Sequence, residues 1–131
     1  MELYVDGASK GNPGPAGGGI VLKDDGRTVE ERSVFFGRKT NNQAEYLALI
    51  EGLRLALKYG VKRLKVYMDS ELVVRQIRGI YKVKSRNLIP LWKKAKELSS
   101  KFEIISFHSI PRILNARADE LANRAIEENV K

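Results

Sequence analysis

The sequence has no cysteine, one histidine and one tryptophan in 131 residues. The absence of cysteine excludes a disulfide scaffold, a zinc–thiolate site and a thiol nucleophile. No apolar run approaches the roughly 20 residues of a membrane-spanning helix. An acid, Glu2, stands where a secretory leader carries basic side chains, so we expect a cytoplasmic protein without a membrane partner. Any metal site in this chain would have to be built mainly from oxygen ligands.

Acidic residues are in the minority, which gives a net charge of +8. The imbalance is strongest between Arg75 and Lys101, a basic segment whose only acid is Glu97. Such a surface attracts polyanions through counterion release and electrostatic steering. Charge therefore favours a nucleic acid partner, although by itself it does not distinguish this from a basic protein without one.

Hydrophobic periodicity and turn signals predict the order βββαβααβα. The glycine- and proline-rich segment 9–19 is predicted as a turn-rich connection. We expect one α/β domain over residues 1–131, with a mixed five-stranded sheet and helices packed on it. The predicted strands are 2–8, 18–24, 28–37, 63–69 and 103–109, and the predicted helices are 44–59, 70–78, 88–100 and 115–128.

Four acidic residues stand at the edges of predicted apolar faces. Asp6 and Asp69 lie within or at the end of strands that should be largely buried. Glu45 and Asp119 stand on helices beside small or apolar packing positions. Carboxylates placed in this way repel one another unless a cation neutralises them. The packing positions are Ala48, Leu49, Gly52 and Ala56 for the first helix and Ala118, Ala122 and Ile126 for the last.

The cation that fits such a cluster is a hard one, because only oxygen ligands are abundant. We expect Mg²⁺, with Mn²⁺ as a substitute. Two ions about 4 Å apart would activate a water and stabilise the leaving oxygen of a phosphodiester. Each acid taken alone is better explained as a helix cap, a surface charge or a salt-bridge partner. The combination favours a metal site, but it names neither a fold nor a substrate.

Four blocks of sequence carry a family resemblance. They are YVDGASKGNPG at 4–14, TNNQAE at 40–45, DS at 69–70 and NARADELA at 115–122. Together they resemble type 1 ribonuclease H, in the family's order and over essentially the whole chain. The resemblance implies a ribonuclease H-like fold with strand order 3-2-1-4-5, helices on both faces and a monomeric state.

The resemblance also implies an activity. Asp6, Glu45, Asp69 and Asp119 match the family's metal-binding acids. The family hydrolyses the RNA strand of an RNA–DNA hybrid with two metal ions and leaves 5′-phosphate and 3′-hydroxyl ends. A non-catalytic hybrid-binding module with the same fold is the alternative, and the presence of all four acids favours the enzyme.

Several polar residues match positions that contact the hybrid. Asn12, Asn41 and Asn42 match contacts in the minor groove, where the 2′-hydroxyl distinguishes RNA from DNA. Backbone groups beside Gly11 and Gln43 are expected to contribute. These positions would therefore recognise the RNA strand of the hybrid, whereas the acids would catalyse its hydrolysis.

A second group matches the pocket that holds a phosphate of the DNA strand. Arg38 and Thr40 occupy the matching positions. Asn87 either completes this pocket or simply caps the second of the two adjacent helices.

The chain departs from the family pattern in the region that usually forms a basic, tryptophan-bearing protrusion. Only residues 79–86 bridge the two helices here. We expect weaker substrate affinity and a steep dependence on salt. Cleavage of double-stranded RNA remains an open alternative, because one discriminating contact is missing.

The loop before Asp119 departs as well. Many members place a mobile histidine ten residues before the last acid, and this chain has Ser109 there. His108 precedes that position, and Arg112 follows it. We expect Arg112, ahead of His108, to assist proton transfer and product release, because a histidine at a strand end often has only a local hydrogen bond.

Overall fold

A computed structural model describes residues 1–130, and its elements follow the predicted order βββαβααβα. Among these residues no helix has the length and apolar character needed to cross a membrane. The elements are β1 Glu2–Ser9, β2 Gly14–Asp24, β3 Arg27–Lys39, α1 Asn41–Lys58, β4 Arg63–Met68, α2 Glu71–Ile77, α3 Ile89–Ser99, β5 Ile104–Ser109, a 3₁₀ turn Arg112–Asn115, and α4 Ala116–Asn129.

The five strands form one mixed sheet in the order β3-β2-β1-β4-β5, as the resemblance implied. Strand β1 pairs antiparallel with β2 and parallel with β4. The pairing of β1 with β4 ends at Tyr4 and Tyr67, although both strands continue beyond it. The two central strands therefore separate at the edge of the sheet where Asp6 and Asp69 lie.

The predicted connection over 9–19 is wrong in its second half, because β2 begins at Gly14. The glycines at 17–19 are strand residues on which helices rest. A Cβ at Gly19 would lie 1.8 Å from the carbonyl oxygen of Ala118 in α4, and one at Gly18 would lie 3.1 Å from Cβ of Ala48 in α1. Glycine here permits close helix–sheet contact instead of forming a turn.

The same contacts place helices on both faces of the sheet. Successive strand residues point to opposite faces, so Gly18 meets α1 while its neighbour Gly19 meets α4. Leu3 and Val5 of β1 are fully buried and lie against Gly52 of α1. The main core thus lies between the sheet and α1, and α4 covers the other face of β1 and β2.

Candidate active site

Three acids meet where β1 and β4 separate. One carboxylate oxygen from each of Asp6, Glu45 and Asp69 lies within 4.8 Å of the others. Asp119 and Arg112 line the same open cavity of about 520 Å³. Residues that are up to 113 positions apart in sequence (119 minus 6) therefore form one cluster.

Glu45 reaches the cluster because the first turn of α1 packs directly against β1. A Cβ at Gly7 would lie 2.2 Å from the carbonyl carbon of Ala44, so only glycine permits this approach. The Gly7 amide donates a hydrogen bond of 2.7 Å to Glu45 Oε1. The carboxylate is thus fixed beside Asp6 by a backbone contact.

Asp119 reaches the cluster through a second glycine contact. Gly19 pairs with Asp6 across β1 and β2, and the carbonyl oxygen of Ala118 occupies the space that a Cβ of Gly19 would need. Asp119 follows Ala118 directly. Its backbone carbonyl accepts a hydrogen bond of 2.9 Å from Asn123 Nδ2 one turn later.

Burial and mutual repulsion dominate the electrostatics of the inner acids. Asp6 is 4% exposed and Glu45 is 7% exposed. Burial, followed by the charge of Glu45, raises the pKa of Asp6, and burial likewise raises the pKa of Glu45. The cluster therefore resists full ionisation unless a cation compensates its charge.

The cluster fits a hard divalent cation. Glu45 Oε2 is buried and has no hydrogen-bond partner among the described residues. An unpartnered buried carboxylate oxygen is costly unless a positive charge lies beside it. Carboxylate oxygens are also the ligands that Mg²⁺ and Mn²⁺ prefer. The donor set thus matches the cation class expected from the sequence.

The structure separates the two candidates for the loop residue. The Arg112 guanidinium lies 3.3 Å from Asp119 Oδ1, and the charge of Asp119 raises the pKa of Arg112. His108 lines a different groove, between β5 and α3. Its Nε2 bonds to Ser106 Oγ at 2.8 Å, and its ring stacks on Tyr67. Only Arg112 is placed beside the acids.

Two asparagines tie the loop after β1 to the start of α1. Asn41 Oδ1 accepts from the Ser9 amide, and Asn12 Oδ1 accepts from the Asn41 amide, both at 3.1 Å. These bonds use the side-chain oxygens, so the Nδ2 groups remain available as donors. Asn41 and Asn42 also line the acidic cavity. The rim of the site thus carries amide donors next to the acids.

Thr40 and Gln43 form the N-terminal cap of α1. Thr40 Oγ1 accepts from the Gln43 amide at 3.2 Å, and Gln43 Oε1 accepts from the Thr40 amide at 2.9 Å. This capping box fixes the helix start that carries Glu45. Arg38, two residues earlier on β3, is exposed to solvent.

Asn87 does not cap α3, so that alternative is wrong. The residue at the cap position is Leu88, whose side chain provides no capping bond. The backbone carbonyl of Ser85 accepts from both Leu88 and Ile89. Asn87 is exposed, and its side chain bonds to that of Ser85.

Two functional-site neighbours were not found from the sequence. Asn123 lines the cavity and also lies 3.3 Å from Asp119 Oδ1. Its position four residues after Asp119 on a predicted helix was the available signal. Asn115 is buried and bonds to β1, a contact across 110 residues that no local pattern indicates.

The bridge between α2 and α3 is short and basic. It runs from Arg78 to Leu88 and exposes Arg78, Lys82, Lys84 and Arg86. Arg75, in contrast, is paired with Glu71 of α2 and lies over the Tyr81 ring. The exposed cations of the bridge can thus meet a polyanion, as can Lys93 and Lys101 elsewhere in the basic segment.

Comparison with known families and proteins identifies relatives over nearly the whole chain. Residues 4–125 match the reverse transcriptase-like family. A bifunctional protein of Mycobacterium tuberculosis, Rv2228c, is 46% identical over 129 residues, which cover 97% of this chain. The chain spans about a third of that protein's length (35%).

Solved structures share the fold closely. A ribonuclease H1 from Halobacterium salinarum is 42% identical, covers 97% of each chain and superimposes with a TM-score of 0.94. LC11-RNase H1, solved in complex with an RNA/DNA hybrid, is 43% identical, covers 99% of each chain and has the same TM-score.

Proposed function

Because this chain belongs to the type 1 ribonuclease H family of hydrolases, we propose that it hydrolyses the RNA strand of RNA–DNA hybrids. The observation that carries this proposal is the cluster of Asp6, Glu45 and Asp69, with Asp119 on the same cavity. We further propose that residues 1–131 act as one ribonuclease H domain, as a monomer in the cytoplasm.

The four acids would hold the metal. Two Mg²⁺ ions, or Mn²⁺ in their place, would polarise the scissile phosphate and favour ionisation of the attacking water. Glu45, Asp69 and Asp119 each contribute to the raised pKa of Asp6. Asp6 would therefore be the acid whose ionisation a bound cation favours most.

The bond changes follow from hydrolysis of a phosphodiester. Water oxygen would bond to phosphorus while the bond from phosphorus to the 3′ oxygen breaks. The 3′ oxygen would take up a proton, so the products are a 3′-hydroxyl and a 5′-phosphate. The Arg112 guanidinium, 3.3 Å from Asp119, would offset negative charge at the open side of the site during this step.

Recognition of the RNA strand would come from the rim. The free Nδ2 donors of Asn12 and Asn41 suit acceptor atoms in the minor groove and the 2′-hydroxyl. Asn42 and the backbone beside Gln43 stand next to them on the start of α1. These donors are close enough to the acids for one duplex to meet both.

The DNA strand would be held at a distance from the acids. Arg38, Thr40 and Asn87 are the proposed contacts for one of its phosphates. The exposed cations of the bridge between α2 and α3 would hold the duplex backbone in place of a longer protrusion. Affinity should then depend steeply on salt.

The deciding experiment is cleavage of an end-labelled RNA–DNA hybrid with Mg²⁺, with Mn²⁺ and with EDTA. We expect cutting of the RNA strand alone, loss of cutting in EDTA and 5′-phosphate product ends. Asp69→Asn is the matched variant, because it replaces the negative carboxylate by a neutral amide of the same size. Hybrid binding without cleavage under every metal condition would instead identify a non-catalytic binding module.

Double-stranded RNA is the second substrate to test. The short bridge removes a region that contributes to discrimination, and this favours some cleavage of an RNA duplex. Rates on hybrid, RNA duplex and single-stranded RNA, measured at equal concentration, would rank the three. If single-stranded RNA were cut as fast as the hybrid, this would argue against recognition through the minor groove of a duplex.

A further inference from the structure

We propose that Asn115 is a positioning residue that sets the distance between the metal-binding carboxylates of Asp6 and Asp119. This inference rests on the proposed function, because it assigns metal binding to those two acids. Asn115 is only 2% exposed and does not line the acidic cavity. It would act only through the residues that it holds.

The first observation concerns the hydrogen bond of Asn115. It occupies the N-cap position of α4, where asparagine ordinarily caps its own helix. Its side chain makes no capping bond, and Nδ2 donates instead to the carbonyl of Val5 at 2.9 Å. The Asn115 side chain therefore links α4 to β1 instead of capping α4.

The second observation concerns the acceptor. Val5 directly precedes Asp6, and the pairing of β1 with β4 has already ended at Tyr4. Strand β4 therefore leaves the Val5 carbonyl without a partner, and a buried carbonyl needs one. The Asn115 amide supplies it at the point where the sheet opens to form the acidic site.

The third observation is what lies on either side of Asn115. Asp119 follows by four residues, one turn of α4, so the two share a face of the helix. The 3₁₀ turn Arg112–Asn115 precedes it and ends on the same residue. One hydrogen bond therefore joins the segment of β1 next to Asp6 to the start of α4. That start precedes Asp119 and follows the loop that carries Arg112.

The remaining atom of the Asn115 amide lowers what the contact adds to stability. Asn115 Oδ1 is buried without a partner among the described residues, and a buried unsatisfied polar atom costs free energy. An apolar side chain would avoid that cost but would leave the buried Val5 carbonyl unpaired instead. The test therefore has to measure metal binding as well as stability.

The test uses Asn115→Leu, which keeps the branching of the side chain at Cγ and removes the amide. Mg²⁺ affinity is measured by calorimetry on the full chain without substrate, and kcat and KM are measured on the hybrid. We expect Mg²⁺ affinity to fall about tenfold, as for other partners that orient metal ligands. We also expect kcat to fall while KM for the hybrid stays unchanged. Asn115→Ala repeats the measurement should leucine prevent folding.

Tyr46→Phe is the matched control. It removes a buried hydrogen bond, from Tyr46 Oη to Gln76 Oε1 at 2.7 Å, which joins α1 to α2 through side chains that do not line the acidic cavity. This variant should lower the melting temperature and leave Mg²⁺ affinity unchanged. Wild-type Mg²⁺ affinity and kcat in both Asn115 variants would overturn the inference.

The result also separates the two proposals. If the unaltered chain binds Mg²⁺ but does not cut the hybrid, the proposed function fails and the calorimetry still decides the role of Asn115. If it cuts the hybrid and the Asn115 variants bind Mg²⁺ normally, the positioning role fails and the proposed function stands.

Discussion

The acidic site has a buried half and an open half. Asp6 and Glu45 are almost fully covered, and Glu45 is held by a backbone amide of β1. Asp119 has 27% of its side chain exposed and faces Arg112, whose side chain is 78% exposed. The buried half is therefore preformed by packing, whereas the open half can respond to a bound strand.

In the proposed enzyme, this contrast would let one site combine strong metal binding with turnover. Buried carboxylates interact strongly with a cation because water does not screen them. An exposed carboxylate beside an exposed cation exchanges partners at lower cost. We therefore assign metal retention to the buried half and product release to the open half, and the following experiments test that division.

The largest expected effect is the loss of an acid from the buried half. Asp6→Asn should lower kcat by about 10³-fold, since it removes several kcal/mol of transition-state stabilisation. Asp119→Asn should cost less, about tenfold to a hundredfold. Steady-state cleavage of the hybrid at saturating Mg²⁺ measures both. Equal losses in the two variants would break the proposed division.

The next effect is on stability, at the glycines that bring each helix to β1. Gly7→Ala and Gly19→Ala should each destabilise the fold by about 3 kcal/mol, because the new Cβ would meet backbone atoms at 2.2 and 1.8 Å. Urea unfolding measures this. Gly18→Ala is the control: its nearest neighbour is the Phe36 ring, which can shift, so a smaller loss is expected. If Gly18→Ala lowered the free energy of unfolding as much as the other two variants, close contact with helix backbone would not explain the loss.

A smaller effect is expected in the open half. Arg112→Ala should lower kcat by about tenfold, because it removes a charge beside the site of reaction. Arg112→Lys should restore part of the rate, and His108→Ala should stay within about twofold of the original. Single-turnover and steady-state rates distinguish chemistry from product release. Full activity in Arg112→Ala with loss in His108→Ala would reverse the assignment.

The last effect is the pH dependence of stability without metal. Asp6 and Glu45 have raised pKa values in the fold, so the folded state binds more protons than the unfolded state above the ordinary values of 3.8 and 4.5. Stability from these groups is therefore lost as the pH rises, by about 1.4 kcal/mol per pH unit for each extra proton that the fold retains. Thermal unfolding in EDTA measures it.

Two variants sharpen that measurement. Asp6→Asn should remove most of the pH dependence, because it removes the repulsion between the buried carboxyls. Asp119→Asn should retain it, since Asp119 belongs to the open half. Added Mg²⁺ should stabilise the protein more at pH 8 than at pH 5, because the ion competes with protons for the same oxygens. No pH dependence in the unaltered chain would contradict the assignment of a buried, charge-strained pair.

The sequence by itself determined the element order and the acids that matter. Apolar periodicity depends on local spacing, so each strand and helix was visible without its neighbours. Acids beside small packing residues, such as Glu45 near Ala48 and Gly52, indicated a buried face with a polar edge. The family blocks then supplied the strand order and the substrate class.

The tertiary structure decided what depends on distant contacts. The run of glycines at 17–19 has the composition of a turn, and only the helices resting on it explain why it is a strand. His108 and Arg112 are four residues apart, yet only Arg112 lines the acidic cavity, because His108 lies within β5 whereas Arg112 lies beyond the end of that strand. Asn115 resembles an ordinary helix cap until its bond to Val5 is seen. Local sequence fixes which residues are available, whereas the packing of α1 and α4 on β1 and β2 fixes which of them meet.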